Sequence, residues 1–293
     1  MQKHIKRYVL NKGFIYMRKL NLLFWLSLSI LFSGVAQADL IFTSPPRETV
    51  EQGMKTYGPI AKGLTDLLGV TVTYQHPGNW LKYQNDMRND KYDIVFDGPH
   101  FISWRIKHLG HQPVVTIPGK LQFFLMTGNS DRYKNFLSAD DLIGKRICGI
   151  APPNLSTLSV LDHYRNPVRQ PIIEGIKGAM PKVFKAFIAK DSRCDGLILR
   201  TVFLKNKIKP EQRSQLRTLF TSQKMPNQGI SVSKRVTPDM ITKMQQYLTS
   251  GKSTAAIKPL LKRWAPKANG MIPASVDEFK DYNYLLEGVI WGW

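Results

Sequence analysis

The segment from Tyr92 to Arg105 contains the clearest candidate for a binding turn in this sequence. Its apolar run Ile94–Phe96 is typical of a strand that is buried on both faces. Gly98 allows a ligand to approach the backbone closely, and Pro99 suits the first position of a helix that continues through His100. Free N–H groups at such a helix start favour anions. These three turn residues are therefore predicted to bind an anionic ligand, although an ordinary connection between a strand and a helix fits them too.

Strands and helices alternate on both sides of this turn. Strands are predicted at 40–43, 70–74 and 92–96, and helices at 49–68, at 80–89 and from 100 onward. This β-α-β order implies an α/β fold with a parallel sheet and helices on both of its faces. Ligands of such sheets bind at the carboxyl ends of the strands, which is where the turn lies.

A second α/β unit follows in the middle of the chain. It begins at Asp140 and contains a predicted strand at 146–150, a Pro-rich loop and a helix that runs from Ser156 to Tyr164. A helix that starts directly after a strand repeats the arrangement of the first unit. A second set of free N–H groups is therefore expected at the edge of a second sheet.

The order of these units predicts two lobes, the first of which is discontinuous. Extended segments leave the first unit near Phe124 and return to it near Gly229. Three predicted helices, at 238–248, 256–264 and 276–286, then finish the chain. Lobe 1 is predicted to comprise residues 39–124 and 229–293, and lobe 2 residues 125–228. The binding cleft is expected between the lobes, where the carboxyl ends of both sheets meet.

The N-terminal region has the features of an export signal. A basic start at residues 17–19 precedes the apolar run Leu20–Phe32, and residues 36–38 match an A-x-A cleavage site. The apolar run is shorter than a transmembrane helix requires. We therefore predict that residues 1–38 are a cleavable signal peptide, that translation starts at Met17, and that the mature protein is periplasmic.

The charge of the chain indicates an anionic partner. The formal charge is +21, and residues 1–38 hold six Lys and Arg and no acid, which leaves +15 on the predicted mature chain. Such an excess suits a small anion, a membrane surface or nucleic acid, and export argues against nucleic acid. We predict a small anionic ligand and a monomeric protein that binds no nucleic acid, while a basic surface that only aids solubility remains the alternative.

Two cysteines and two neighbouring histidines are the remaining candidates for covalent or metal chemistry. Cys148 and Cys194 suit a disulfide in an oxidising compartment, and two buried thiols are the alternative. His108 and His111 have a spacing that metal sites use, but Gly110 is predicted to end their helix and no third ligand is near in sequence. No metal and no cofactor is therefore predicted.

Motifs of the common enzyme classes are missing from the sequence. It contains no G-x-S-x-G elbow, no Walker loop and no H-E-x-x-H helix. Asp97 and His100 are three residues apart in the cleft turn, but no nucleophile is placed beside them. The sequence therefore predicts a binding protein and no enzymatic activity.

Several segments together resemble one family of binding proteins. They are Pro46-Arg47, Tyr57-Gly58-Pro59-Ile60, Tyr92–Pro99 and Asp141-Leu142-Ile143-Gly144-Lys145-Arg146. Their order and spacing are similar to those of the phosphate/phosphite/phosphonate-binding (PhnD-like) periplasmic proteins. The resemblance implies a type 2 periplasmic-binding fold, with two lobes, a two-strand hinge and closure over a ligand. It also implies delivery of that ligand to an ABC permease in the inner membrane.

The resemblance also implies binding residues in lobe 2. The family's cluster of Ser and Thr at a helix start, which cradles the phosphonate, matches Pro152–Ser159 here. Asn154, Ser156 and Thr157 are therefore expected to bind the oxyanion through hydroxyl and backbone N–H groups. A helix cap at Ser156 is the alternative.

Three further residues complete the predicted ligand-binding set. Arg200 ends a predicted strand in lobe 2, where its guanidinium can pair with an oxyanion, unless it lies on the surface. Ser44 follows the first strand, and Tyr57 lies in the next helix, where a core position is equally suited to it.

Two functions share this fold. The first is capture of a small oxyanion of the phosphate, phosphite or phosphonate class for an ABC importer. The alternative is a periplasmic sensor that binds a ligand, not necessarily a phosphonate, and signals to a membrane receptor, because a fold alone does not fix a function.

Overall fold

The structure is a computed structural model that describes residues 39–287 of the 293-residue chain. The predicted signal peptide, residues 1–38, lies outside the described residues. Within the described range, no helix combines the length and the apolarity needed to cross a bilayer.

Strands and helices alternate along most of the described chain. The strands are β1 (Leu40–Thr43), β2 (Val72–Tyr74), β3 (Ile94–Asp97), β4 (Gln112–Thr116), β5 (Lys120–Leu121), β6 (Phe123–Gly128), β7 (Arg146–Ile150), β8 (Ile172–Ile176), β9 (Gly196–Arg200), β10 (Leu216–Thr221), β11 (Met225–Pro226), β12 (Gly229–Val232) and β13 (Ile272–Pro273). The helices are α1 (Val50–Leu68), α2 (Trp80–Arg88), α3 (Pro99–Leu109), α4 (Leu155–Tyr164), α5 (Met180–Ile188), α6 (Thr201–Lys207), α7 (Pro210–Arg213), α8 (Pro238–Thr249), α9 (Thr254–Trp264), α10 (Val276–Phe279) and α11 (Tyr284–Glu287).

The sheet of lobe 1 has the strand order β13-β4-β12-β3-β1-β2. Strand β1 pairs in parallel with both β2 and β3, whereas β12 is antiparallel to β3 and to β4. Strand β4 lies inside this sheet, next to β12, in agreement with the predicted extent of lobe 1 to residue 124. The parallel part of the sheet brings the carboxyl ends of β1, β2 and β3 to one edge.

Helix α1 packs on this sheet because its apolar side chains recur at helical spacing. Tyr57, Ile60 and Leu64 are buried in the same core cluster as the strands. Thr49 caps the first turn of the helix, and Gly69 ends it in the left-handed region with a φ of 71°. The helix therefore holds Tyr57 in the interior of lobe 1.

The two lobes are connected by a two-strand hinge. Strands β5 and β11 form a separate antiparallel ribbon, in which Leu121 pairs with Met225 and Lys120 with Pro226. The chain passes through β5 into β6 and returns through β11 into β12. This ribbon is the hinge that a type 2 periplasmic-binding fold requires.

The sheet of lobe 2 has the strand order β10-β6-β9-β7-β8. Strand β7 is parallel to both β8 and β9, so the ends of these three strands also share one edge. A disulfide joins Cys148 in β7 to Cys194, which precedes β9, with a Cα–Cα distance of 5.6 Å. Both cysteines are buried, and the bond links β7 to the segment that leads into its neighbour β9.

Replacing Cys148 and Cys194 together with Ala is expected to lower the free energy of unfolding by about 3–4 kcal/mol. The bridge closes a loop with a sequence separation of 46, and without it the unfolded chain regains the corresponding entropy. Denaturant unfolding of parent and variant without reductant measures the loss, and reduction of the parent provides the matched control. A difference below about 1 kcal/mol would show that the bridge contributes little to stability.

The sequence prediction of one helix over residues 276–286 is wrong, since α10 and α11 are separated by a turn. The side chain of Ser103 in α3 stabilises this turn. Its Oγ accepts hydrogen bonds from the N–H groups of Tyr282 and Asn283, both at 2.9 Å, and donates one to the carbonyl of Lys280 at 2.8 Å. The turn is thereby fixed to the helix that begins at the predicted binding turn.

Candidate functional site

The two predicted binding turns meet across the cleft. The first connects β3 to α3 in lobe 1 and contains Gly98, Pro99 and His100; the second connects β7 to α4 in lobe 2. His100 Nε2 lies 3.2 Å from the carbonyl oxygen of Pro153. The starts of α3 and α4 are therefore neighbours, and neither first turn contains an acidic residue. Both helix starts leave their positive dipole ends available to an anion.

The His100 side chain is held in place by its own turn. It is 3% exposed, and its ring folds back so closely that a Cβ on Gly98 would lie 2.8 Å from His100 Cε1. Glycine is therefore required at position 98 for close approach of the ring. The bond to Pro153 needs the proton on Nε2, and Nδ1 has no hydrogen-bond partner among the described residues.

His100 is neutral at physiological pH. Burial lowers its pKa from 6.5 to about 4, against the smaller opposing effect of the Asp97 carboxylate. The hydrogen bond to the Pro153 carbonyl also raises the pKa of His100, while the charges of Arg47 and Arg105 lower it further.

The stability of the protein is expected to fall as the pH decreases from about 6.5 to about 4. The pKa of His100 is lower in the folded protein than in the unfolded chain. The unfolded chain therefore takes up a proton at this residue first, and stability is lost as the pH falls from the unfolded pKa through the folded pKa. The loss is at most about 3 kcal/mol. His111, whose pKa burial also lowers to about 4, adds a similar dependence.

The measurement is the free energy of unfolding across this pH range for the parent and for His100→Gln. Glutamine retains an N–H donor for Pro153 but does not titrate, so the variant should lose less stability than the parent. His111 is unchanged in both proteins and cancels in the comparison. Equal losses in both would rule out His100 as a source of the pH dependence.

A buried ion pair anchors the lobe 1 turn. Asp97, the last residue of β3, accepts two bonds of 2.8 Å from the guanidinium of Arg105 and one of 2.5 Å from the hydroxyl of Tyr83. Arg105 Nη2 also donates to Ser231 Oγ in β12 at 2.9 Å. Asp97 and Arg105 are 0% and 1% exposed. This network fixes the turn relative to the strand that returns from the hinge.

The lobe 2 turn is organised by Asn154, the N-cap of α4. Its Oδ1 accepts bonds from the N–H of Ser156 at 3.0 Å and from Ser156 Oγ at 2.7 Å. Two donors on one oxygen fix the orientation of the amide, so Nδ2 carries the free hydrogens. Nδ2 has no partner among residues 39–287 and is available to donate to a ligand.

The hydroxyl hydrogens of Ser156 and Thr157 are directed at the protein. Ser156 donates to Asn154, and Thr157 Oγ1 donates to the carbonyl of Ile150 at 2.6 Å. Both side chains are 0% exposed. The sequence predicts these hydroxyls as ligand donors. In this structure the Ser156 hydroxyl orients the amide of Asn154, and the Thr157 hydroxyl holds the end of β7.

Arg200 lies at the carboxyl end of β9, on the same sheet edge as the lobe 2 turn. Among residues 39–287, its buried Nε has no hydrogen-bond partner, and no carboxylate forms an ion pair with its guanidinium. Burial lowers its pKa. A partly buried guanidinium without a counter-charge is a candidate for pairing with an anion.

Ser44 and Tyr57 form one corner of lobe 1, at the carboxyl end of β1. Ser44 Oγ lies 2.9 Å from the hydroxyl of Tyr74, and the Tyr57 ring stacks on Tyr74 with centroids 5.1 Å apart. All three residues are buried. Burial raises the pKa of Tyr74 to about 12 and that of Tyr57 further, so both hydroxyls remain protonated and can act as donors.

Arg47 and Glu48 lie in the same corner, and the sequence analysis did not predict them as site residues. The guanidinium of Arg47 lies 5.0 Å above the ring of Trp264. Its charge lowers the pKa of both Tyr57 and His100, so it acts on both sides of the lobe 1 edge. A charged pair within five residues of the end of a strand at the binding edge is the signal that could have identified them.

The histidine pair considered as a metal site contacts carboxylates in two different places. His108 Nε2 lies 2.6 Å from Glu287, and His111 Nε2 lies 2.8 Å from Asp90. Among residues 39–287, no group of three or more His, Cys, Asp or Glu side chains is arranged to hold a metal ion.

Solved structures with the same fold share little sequence with this chain. A Xanthomonas citri protein bound to ATP aligns with a TM-score of 0.65 and 12% identity, over 85% of this chain and 96% of that one. PhnD1 from Prochlorococcus marinus in complex with methylphosphonate aligns with a TM-score of 0.59 and 15% identity, over 86% and 99%. A binding component of a phosphonate ABC transporter from Pseudomonas aeruginosa aligns with a TM-score of 0.56 and 14% identity, over 85% of this chain and 86% of that one. At these identities the matches establish the fold alone, a two-lobed type 2 periplasmic-binding fold.

Sequence comparison identifies the family. No protein with a curated description matches the chain significantly. Residues 42–279 match the family described as the ABC transporter, phosphonate, periplasmic substrate-binding protein. This range includes the strands of both lobes and the hinge, with the cleft turns and Arg200. The chain belongs to this family of periplasmic substrate-binding proteins of ABC transporters.

Proposed function

We propose that this protein captures a small oxyanion of the phosphate, phosphite or phosphonate class between its lobes and delivers it to an ABC permease of the inner membrane. The observation that carries the proposal is the contact between His100 and Pro153, which brings the starts of α3 and α4 together. Two converging helix starts without acidic residues favour an anion between them.

Each side of the cleft contributes donors in this proposal. The α3 start offers the N–H of His100, since Pro99 has none and those of Phe101 and Ile102 donate to the Gly98 carbonyl. Asn154 offers Nδ2, which Ser156 orients through two hydrogen bonds to Oδ1. Arg200 supplies a charge that has no ion-pair partner in the described part of the chain. The hydroxyls of Ser44 and Tyr57 are donors at the far corner. Pro99 fixes the helix start, and Thr157 holds the end of β7.

The relatives support this class of ligand. The family description names phosphonate, and PhnD1 from Prochlorococcus marinus was solved in complex with methylphosphonate. The same description names a transporter component, which favours import over the sensor alternative. We further propose that the protein is a monomer without enzymatic activity or nucleic-acid binding, and that residues 1–38 are removed on export.

The experiment is a calorimetric and thermal-shift screen of the chain from Asp39 onward with phosphate, phosphite, methylphosphonate and sulfate. A ligand at 100 times its dissociation constant should stabilise the protein by about 2.7 kcal/mol. Sodium chloride at the same ionic strength is the control for general salt effects. If phosphate, phosphite and methylphosphonate all fail to bind at millimolar concentration, the proposed function is wrong.

A further inference from the structure

One carboxylate oxygen in the lobe 1 corner is buried without a donor. The Glu48 side chain is 0% exposed, and its Oε2 accepts a bond of 2.9 Å from Arg263 Nη2. Oε1 has no hydrogen-bond partner among the described residues. A buried acceptor of this kind destabilises the protein unless a ligand or a water supplies a donor.

Glu48 lies five residues after the end of β1, in the segment that follows the carboxyl edge of the lobe 1 sheet. After burial, the Glu48 charge is the largest influence that raises the pKa of Tyr57, and it also raises that of Tyr74. The carboxylate therefore lies close to both hydroxyls. Since Ser44 is bonded to Tyr74, the carboxylate is close to the end of β1, at the edge where ligands bind.

Arg47 supplies the opposite charge in the same corner. Arg47 and Arg263 contact the Trp264 ring, each with the guanidinium carbon 5.0 Å from the ring centroid. Arg263 is neutralised by Glu48, whereas no ion pair within residues 39–287 involves Arg47. The corner thus combines one unpaired cation with one unpartnered acceptor.

We propose that Arg47 and Glu48 form a subsite that selects tetrahedral oxyanions carrying a proton. Arg47 pairs with an ionised oxygen of the ligand, and Glu48 Oε1 accepts a hydrogen bond from a protonated one. Hydrogen phosphate and monoprotonated alkylphosphonates offer both groups. This inference rests on the proposed function and specifies its ligand class.

Sulfate has the same shape but no proton at neutral pH. Because a carboxylate only accepts hydrogen bonds, a bound sulfate would place a bare oxygen against Glu48 Oε1. Sites that depend on one buried polar contact discriminate strongly against analogues that lack the matching group. Methylphosphonate is therefore expected to bind at least about 100-fold more tightly than sulfate.

The test compares the affinities of methylphosphonate and sulfate, by calorimetry at neutral pH, in the parent, Glu48→Gln and Arg263→Gln. The amide of Glu48→Gln can donate to a sulfate oxygen, so the affinity ratio should fall at least about 10-fold. Arg263→Gln removes the same ion pair but retains the carboxylate, and it should keep the ratio of the parent. Arg47→Met should weaken both ligands by similar factors of about 10 or more.

The parent alone provides a second readout that does not depend on the folding of any variant. Its affinity for methylphosphonate should fall between about pH 6 and about pH 9, because the ligand loses the proton that Glu48 recognises. An unchanged ratio in Glu48→Gln, or an affinity of the parent that stays constant over this range, would overturn the inference while leaving oxyanion capture intact. A parent that binds neither methylphosphonate nor sulfate would overturn the inference, and failure to bind phosphate and phosphite as well would overturn the proposed function.

Discussion

Replacing Arg105 with Met is expected to lower the free energy of unfolding by about 3–5 kcal/mol, the largest loss of stability from a single substitution that we predict. The guanidinium forms two bonds of 2.8 Å with Asp97, and both side chains are fully buried. The variant leaves the Asp97 carboxylate buried without its counter-charge. Because Asp97 ends β3 at the cleft turn, the position of His100 should change too, and oxyanion affinity should fall with stability.

Denaturant unfolding measures this loss, and Arg146→Met is the matched control. Arg146 pairs with Glu174 at 3.3 Å on the surface, where an ion pair contributes at most about 1 kcal/mol. A double variant, Arg105→Met with Asp97→Leu, should recover part of the loss, because it removes both charges. A cost below about 1 kcal/mol for Arg105→Met would show that the buried pair does not anchor the turn.

Replacing Asn154 with Asp is expected to weaken oxyanion binding by at least about 100-fold. The substitution keeps the size of the side chain and an equally good N-cap, so α4 should remain intact. It replaces the Nδ2 donor by a charged oxygen, which removes a bond worth about 1.5–3 kcal/mol and adds repulsion of the anion. Titration calorimetry with the best ligand of the screen measures the effect.

Asn166→Asp is the control for the added charge. Asn166 also accepts bonds from two backbone N–H groups through Oδ1, at 2.9 and 3.1 Å, but it lies on an exposed loop after α4. This variant should bind as tightly as the parent, within about threefold. If Asn154→Asp also binds within this limit, the lobe 2 turn is not part of the anion site.

Much of the fold follows from local patterns in the sequence. The apolar spacing of α1 and the run Arg146–Ile150 of β7 predict elements that the structure contains. The strands β5 and β11 are two residues long, too short for any alternation pattern, so the hinge follows from the resemblance alone. The break between α10 and α11 depends on Ser103, which is about 180 residues away, and no local pattern encodes it.

The candidate site shows the same limit. Gly98 and Pro99 predict their turn from the local sequence. Glycine suits a position where another group approaches the backbone closely, and proline suits the first position of a helix. The ion pair of Glu48 and Arg263 could not be predicted, since a sequence does not show that residues 48 and 263 meet. For Ser156 the difficulty is different. A serine at this position can donate to a ligand or hold Asn154 in place, and only the geometry of its hydrogen bond distinguishes these roles.

The most direct test of oxyanion capture is a crystal structure of the chain from Asp39 onward grown with methylphosphonate. We predict density for the phosphonate between the starts of α3 and α4, with Asn154 Nδ2 within hydrogen-bond distance of one of its oxygens. The Asn154 Oδ1 should still accept both bonds from Ser156. Phosphonate density elsewhere on the protein, with the space between His100 and Asn154 filled by water, would contradict the account.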